Sequence, residues 1–295
     1  STLTLHFVLT LFTPREAMGQ ARAYLLASLA AFYVITIAIP KVASMTNEVD
    51  MLWGNTKVLQ DSTGQEIIAL SLDRTTTSAF RSRRTYLFGR TDIDIKLVPG
   101  NSAGIVLAFY MMTEGSWNFH NEIDIEFLGN STGNPCTMHT NLYARGKGSR
   151  EKGYRLPFDP TLDFHTYSII WRQQFIQILV DDKPIRHIKN QESYNGSPYP
   201  NYQPMRVYCT IWNADDWATQ GGQVKTDWSL APFTAYFRNF KATPCSPNLS
   251  SKICGQELDG TQKQQLEDAD AKNKIYDYCS DPKRRIGSTE DCKSQ

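Results

Sequence analysis

Charge imbalance is missing from this sequence: 31 Lys and Arg stand against 30 Asp and Glu, a formal net charge of +1. A chain with so small a net charge carries no strong electrostatic footprint, which argues against nucleic acid and anionic membrane surfaces as partners. Internal repeats and low-complexity tracts are absent too. Between Met45 and Thr243 no long helical periodicity occurs, which argues against amphipathic helices in that stretch. Cysteine is sparse until the end of the chain. Cys136 and Cys209 stand alone in strand-like segments and read as buried small hydrophobes, whereas Cys245, Cys254, Cys279 and Cys292 crowd together. What is present is aromatic surface: 12% Phe, Trp and Tyr suits a sugar-stacking or protein-contacting face. With 295 residues, 41% of them hydrophobic, the chain can bury one large core and carry an appendage.

The apolar run from Ala23 to Ile39, preceded by Arg22 and followed by Pro40 and the small residues Val42, Ala43 and Ser44, reads as a secretory signal cleaved near Ser44. Residues 1–17 are then either translated leader or the product of a misplaced start ahead of Met18. The competing reading is a membrane anchor, but the run is at the lower edge of the roughly 17 to 25 residues a span needs and no basic cluster follows it. The four clustered cysteines agree with secretion and suggest two disulfides. Three connectivities are open; pairing of sequence neighbours, Cys245 with Cys254 and Cys279 with Cys292, is expected. Sequons occur at Asn130, Asn195 and Asn248, with Asn130, in a Gly-rich turn, the preferred glycan site.

From Met45 to Thr243 short apolar or alternating runs recur, broken by turn residues: 66–72, 86–97, 104–110, 122–127, 137–143, 167–172, 175–180, 205–212 and 233–240. Many short strands at this spacing predict an all-β sandwich or barrel. After Pro244 the composition shifts. Residues 259–278 are polar, free of proline and punctuated by Leu266, Ala269 and Ile275, which predicts an amphipathic helix held by the two disulfides in an extension too small for its own core.

One strand concentrates the chemistry. In His120-Asn121-Glu122-Ile123-Asp124-Ile125-Glu126-Phe127 the acids fall at every second position, so in a strand they share one face while Ile123, Ile125 and Phe127 share the other. At about 3.3 Å per residue the Cα atoms of Glu122 and Glu126 are roughly 13 Å apart, and side chains leaning together bring the carboxyls to roughly 6 Å. That is closer to the about 5–5.5 Å of retaining glycosidases than to the about 6.5–9.5 Å of inverting ones. Crowding three carboxylates raises at least one pKa, as a general acid requires. Two plainer readings compete: a solvated strand face, and a calcium site. Asp and Glu are poor strand formers, and calcium loops supply ligands more often than strands do.

The stretch from His120 to Asn130 resembles the active-site signature of plant xyloglucan endotransglucosylase/hydrolases, in the glycoside hydrolase family that also holds lichenases and agarases. The resemblance extends through Tyr86-Leu87-Phe88-Gly89, residues 95–104, Phe158-Asp159-Pro160, residues 163–168, residues 212–219 and Lys225-Thr226-Asp227-Trp228, covering about residues 48–292. It implies a curved antiparallel β-jelly-roll sandwich with a concave cleft at 45–243, after a leader at 1–44, and a cleft-lengthening extension at 244–295. It implies Glu122 as nucleophile, Glu126 as acid/base and Asp124 as a helper bonded to the nucleophile, with glycosylation at Asn130. Xyloglucan is then donor, and xyloglucan or its oligosaccharide acceptor.

By the same resemblance, Tyr110, His139, Asn141, Arg150, Trp212, Trp217, Gly222, Tyr276 and Arg284 are sugar-binding positions, while Trp171 and Trp228 read as core. No metal or organic cofactor is implied, and a monomer is expected. The sequence departs from the family pattern in a loop at 111–119 about two residues longer than usual, which adds Trp117 and Phe119, and in Gly153, Pro157 and Gln220, where larger residues are common. The segment 213–219 resembles the transferase-type version, so transfer is favoured over net hydrolysis.

Overall fold

The computed structural model describes residues 44–245, 254–283 and Cys292. The expected leader and signal, the Asn248 sequon and Arg284 lie outside the described residues. In chain order the strands are β1 (Val49–Trp53), β2 (Asn55–Gln60), β3 (Glu66–Leu72), β4 (Ser78–Ser82), β5 (Gly89–Lys96), β6 (Ile105–Met112) and β7 (Glu122–Leu128). There follow β8 (Thr137–Tyr143), β9 (Lys152–Arg155), β10 (His165–Trp171), β11 (Phe175–Val180), β12 (Lys183–Lys189), β13 (Arg206–Asn213), β14 (Phe233–Pro244) and β15 (Lys274–Asp277). A one-turn helix α1 (Glu192–Asn195) precedes β13, and α2 (Gly260–Lys272) lies in the extension.

These strands form two antiparallel sheets, ordered β1-β4-β13-β6-β7-β8-β9-β15 and β12-β11-β10-β5-β14-β3-β2. The reason is the period-two burial of their side chains. Ile123, Ile125 and Phe127 of β7, with Phe109 and Met138 from its neighbours, are at most 2% exposed and meet Ile93, Ile169 and Phe237 of the facing sheet. Phe127 meets Tyr167 edge to face at 4.7 Å, and Phe80 meets Phe237 at 5.2 Å. Trp171 is fully buried, donating its indole N–H to the Pro200 carbonyl. Cys136 and Cys209 are buried free thiols, as expected.

Strands β3, β8 and β11 have the expected bounds; β1, β2, β4, β9, β12 and β15 were not expected. Four of those six are sheet edges, where polar side chains and Pro184 mask the alternation that buried strands display. The predicted helix over 259–278 is corrected. An Asp259–Gln262 capping box starts α2, which stops at Lys272, and β15 then pairs with β9. Aromatic Tyr276 and β-branched Ile275 favour the strand, whose backbone groups find partners on a sheet edge that was otherwise open. The extension therefore adds a strand to the sheet that carries the acids. Both expected disulfides, Cys245–Cys254 and Cys279–Cys292, are formed.

Candidate active site

The acid strand lies near the middle of the eight-stranded sheet, and its register fixes every neighbour. Glu122 faces Met112 of β6 and Tyr143 of β8; Asp124 faces Tyr110 and Asn141; Glu126 faces Ala108 and His139. All three acids line one cleft of about 340 Å³, together with Trp53, Tyr110, Trp117, His120 and Trp212. The solvated-face reading fails on burial: Asp124 is only 4% exposed and the two glutamates are half-buried. Nor, among the described residues, is any group of three or more His, Cys, Asp or Glu side chains arranged to hold a metal ion.

Burial decides the proton affinities. It pushes Asp124 well above the usual carboxylate range, and the charges of Glu122 and Glu126 add to the rise. Burial likewise raises Glu126 to about 7, assisted by Glu151 and Glu122 and opposed by His139. One Asp124 oxygen, Oδ1, is buried without a hydrogen-bond partner among the described residues, an arrangement that a neutral carboxyl tolerates better than a carboxylate. The expected Asp124–Glu122 bond is not what holds Glu122. Its Oε2 lies 2.5 Å from His120 Nε2 instead. The sequence pattern assigns His120 no role, although its place two residues before Glu122 puts it on the same face.

The long loop before β7 is built around Glu114, whose Oε1 accepts from Arg81 Nη1 (2.9 Å), Arg206 Nε (3.0 Å) and Tyr208 O–H (3.3 Å). It carries Trp117, which stacks flat on the His120 ring at 4.4 Å, lines the cleft and is 62% exposed. Phe119 is 59% exposed but does not line the cleft.

The glycosyl hydrolases family 16 profile matches residues 45–230. The chain is 48% identical over 266 residues to xyloglucan endotransglucosylase/hydrolase 2 of Glycine max, covering 88% of this chain and 93% of that protein. It is 46% identical over 271 residues to xyloglucan endotransglucosylase protein 1 of Diospyros kaki, covering 90% and 92%. The chain belongs to glycosyl hydrolases family 16, among the xyloglucan endotransglucosylase/hydrolases. Solved structures show the same fold: the Crh5 transglycosylase superposes with a TM-score of 0.56 at 23% identity over 70% of this chain and 82% of that one. A Bacillus licheniformis beta-glucanase gives 0.52 at 23% identity, over 68% and 94%.

On this family 16 frame the expected sugar-contacting residues divide. Tyr110 stacks on Tyr208 at 5.3 Å in the cleft, and Trp212 and Trp217 sit 6.0 Å apart, Trp217 with 39% exposure. Gly222 has φ +84°, and a Cβ there would lie 2.1 Å from the Asp216 carbonyl oxygen, so only glycine lets the turn close against the Trp217 backbone. Asn141 uses its Oδ1 to accept from the Leu142 and Arg150 backbone N–H groups. His139 and Tyr276 flank Gly153, on β8 and β15, and the Tyr276 hydroxyl donates to Asp281 at 3.0 Å. Arg150 is not brought to the cleft: buried to 6% exposure, it donates to the Pro198 carbonyl and lines a separate cavity of about 290 Å³ beneath α2. Pro157 lines a further cavity beside α2, and Gln220 stands exposed at φ +51°. Asn130 is half-buried after β7, its amide donating to the Pro135 carbonyl.

Proposed function

We propose that the protein cleaves the β-1,4-glucan backbone of xyloglucan by a retaining double displacement and transfers the glycosyl fragment to another xyloglucan chain, remodelling the plant primary cell wall. The observation that carries this reading is the pairing of Glu122 with Glu126 across a buried Asp124, with Glu126 raised to about 7. A group with that proton affinity is protonated often enough to protonate a leaving oxygen and ionised often enough to take a proton back. Glu122 attacks the anomeric carbon while Glu126 protonates the departing glycosidic oxygen; the C–O bond to the leaving chain breaks and an ester to Glu122 forms. Glu126, now ionised, takes the proton of the incoming hydroxyl as that oxygen displaces Glu122. His120 holds one oxygen of Glu122, leaving the other to attack.

Water and a sugar hydroxyl compete for the ester. Holding the acceptor in attack geometry outweighs the concentration of water, and the half-exposed Trp217 with Tyr276 on β15 supply platforms for that purpose. Transfer is therefore favoured over hydrolysis. Incubation with xyloglucan and a labelled xyloglucan oligosaccharide distinguishes the outcomes: labelled polymer supports transfer, and new reducing ends without labelled polymer support hydrolysis. A folded sample giving neither overturns the catalytic reading in favour of a wall-glycan-binding role.

Under the same proposal residues 1–44 are leader and signal, 45–243 the catalytic sandwich and 244–295 the extension. The mature protein is a secreted, apoplastic monomer glycosylated at Asn130, with Arg284 adding to the acceptor side. Among the described residues no helix is long and apolar enough to cross a membrane.

A further inference from the structure

Glu126 does not stand alone on its side of the cleft. Directly across the β7–β8 ladder is His139, and His139 Nδ1 lies 2.5 Å from Glu151 Oε1. Both side chains are largely withdrawn from water, at 16% and 24% exposure, where a charge-assisted bond of this length is strong. On the other side of His139 the facing residue is Gly153 of β9. A Cβ at Gly153 would come 3.2 Å from His139 Cε1, His139 Nε2 and Tyr276 Cβ alike. A side chain at 153 would therefore crowd the imidazole against Tyr276 of β15.

We propose that Glu151 is a positioning residue: by holding His139 beside Glu126 in the space that Gly153 opens, it sets the proton balance of the acid/base group. The inference rests on the acid/base reading of Glu126. The electrostatics agree in sign, since the Glu151 charge raises the Glu126 pKa and His139 lowers it. Among the described residues the ionisable groups around Glu126 are Glu122 and Asp124 on β7, Tyr110 on β6, His139 and Tyr143 on β8 and Glu151 ahead of β9. On the flanking elements, Lys152 of β9 pairs with Asp277 of β15 at 3.4 Å, and Arg186 of β12 is bonded to Thr140 and the Arg150 carbonyl.

The test is the pH profile of kcat/KM for transfer in the full chain, measured for the unaltered protein, Glu151→Gln, His139→Gln and Glu126→Gln. Glu151→Gln removes the negative charge, so the alkaline limb, where Glu126 loses its proton, moves to lower pH. His139→Gln removes the imidazole whose charge lowers the Glu126 pKa, and the same limb moves to higher pH. Loss of packing alone would lower the rate without driving the two limbs in opposite directions. If Glu151→Gln fails to fold, the direction of the His139→Gln shift still decides. Limbs that stay in place, or shift together, overturn the proposal while an inactive Glu126→Gln leaves the acid/base reading standing; a fully active Glu126→Gln overturns both.

Discussion

Glu126 and Asp124 owe their raised proton affinities to the same burial but put them to different uses. Glu126, near 7, is expected to give kcat/KM for chain cleavage that falls as pH rises above about 7, and Glu126→Gln should lower kcat/KM by roughly 10²–10⁴-fold. An activity that climbs steadily through pH 8 would contradict that assignment. Glu122→Ala should reduce transfer and hydrolysis to background with the fold retained, read by both assays beside a thermal melt. Asp124 bears on stability. Because its folded-state pKa lies above that of the unfolded chain, the folded form binds more protons between the two values, and stability declines as pH rises through that window. Asp124→Asn removes the decline, so its Tm should exceed that of the unaltered protein at pH 8 by more than at pH 4. An equal gap at both pH values would show that Asp124 is ionised in the fold.

The strand that carries the acids could be read from its own residues, whereas its supporting elements could not. Alternation placed Ile123, Ile125 and Phe127 in the core because period two is a local property of extended backbone. His120 gave the same local signal. Glu114 and Glu151 gave none: they lie in loops, and their partners Arg81, Arg206 and His139 are brought to them by strand register. The turn at Gly222 belongs to this scale. Gly222→Ala meets both a left-handed φ and an oxygen 2.1 Å from the new Cβ, so a destabilisation of about 1–3 kcal/mol is expected. Displacement of Trp217 should also raise KM for the acceptor oligosaccharide more than KM for the donor. Urea unfolding with the two KM values checks this; an unchanged acceptor KM would remove Trp217 from the acceptor platform.

At the scale of the molecule, the extension and sandwich share one sheet through the β9–β15 ladder. The Cys279–Cys292 bridge, with a sequence separation of 13, follows β15 directly. Replacing both cysteines by Ser should cost about 3 kcal/mol on the chain-entropy account, and it should depress transfer more than hydrolysis if β15 carries acceptor contacts. Parallel loss of the two activities would place the extension outside acceptor binding.

Composition, turn spacing and alternation determined by themselves that this chain is all-β and that its acids occupy one face of a strand, because each depends on residues close in sequence; which of the three cysteine pairings forms is decided by the structure. Only the tertiary structure decided that Asp124 is buried, that His120 holds Glu122, that Glu151 reaches His139 across Gly153, and that the segment after α2 is a strand. Those outcomes require cross-strand register and the shielding of water by distant elements, and neither is encoded within any short window of the chain.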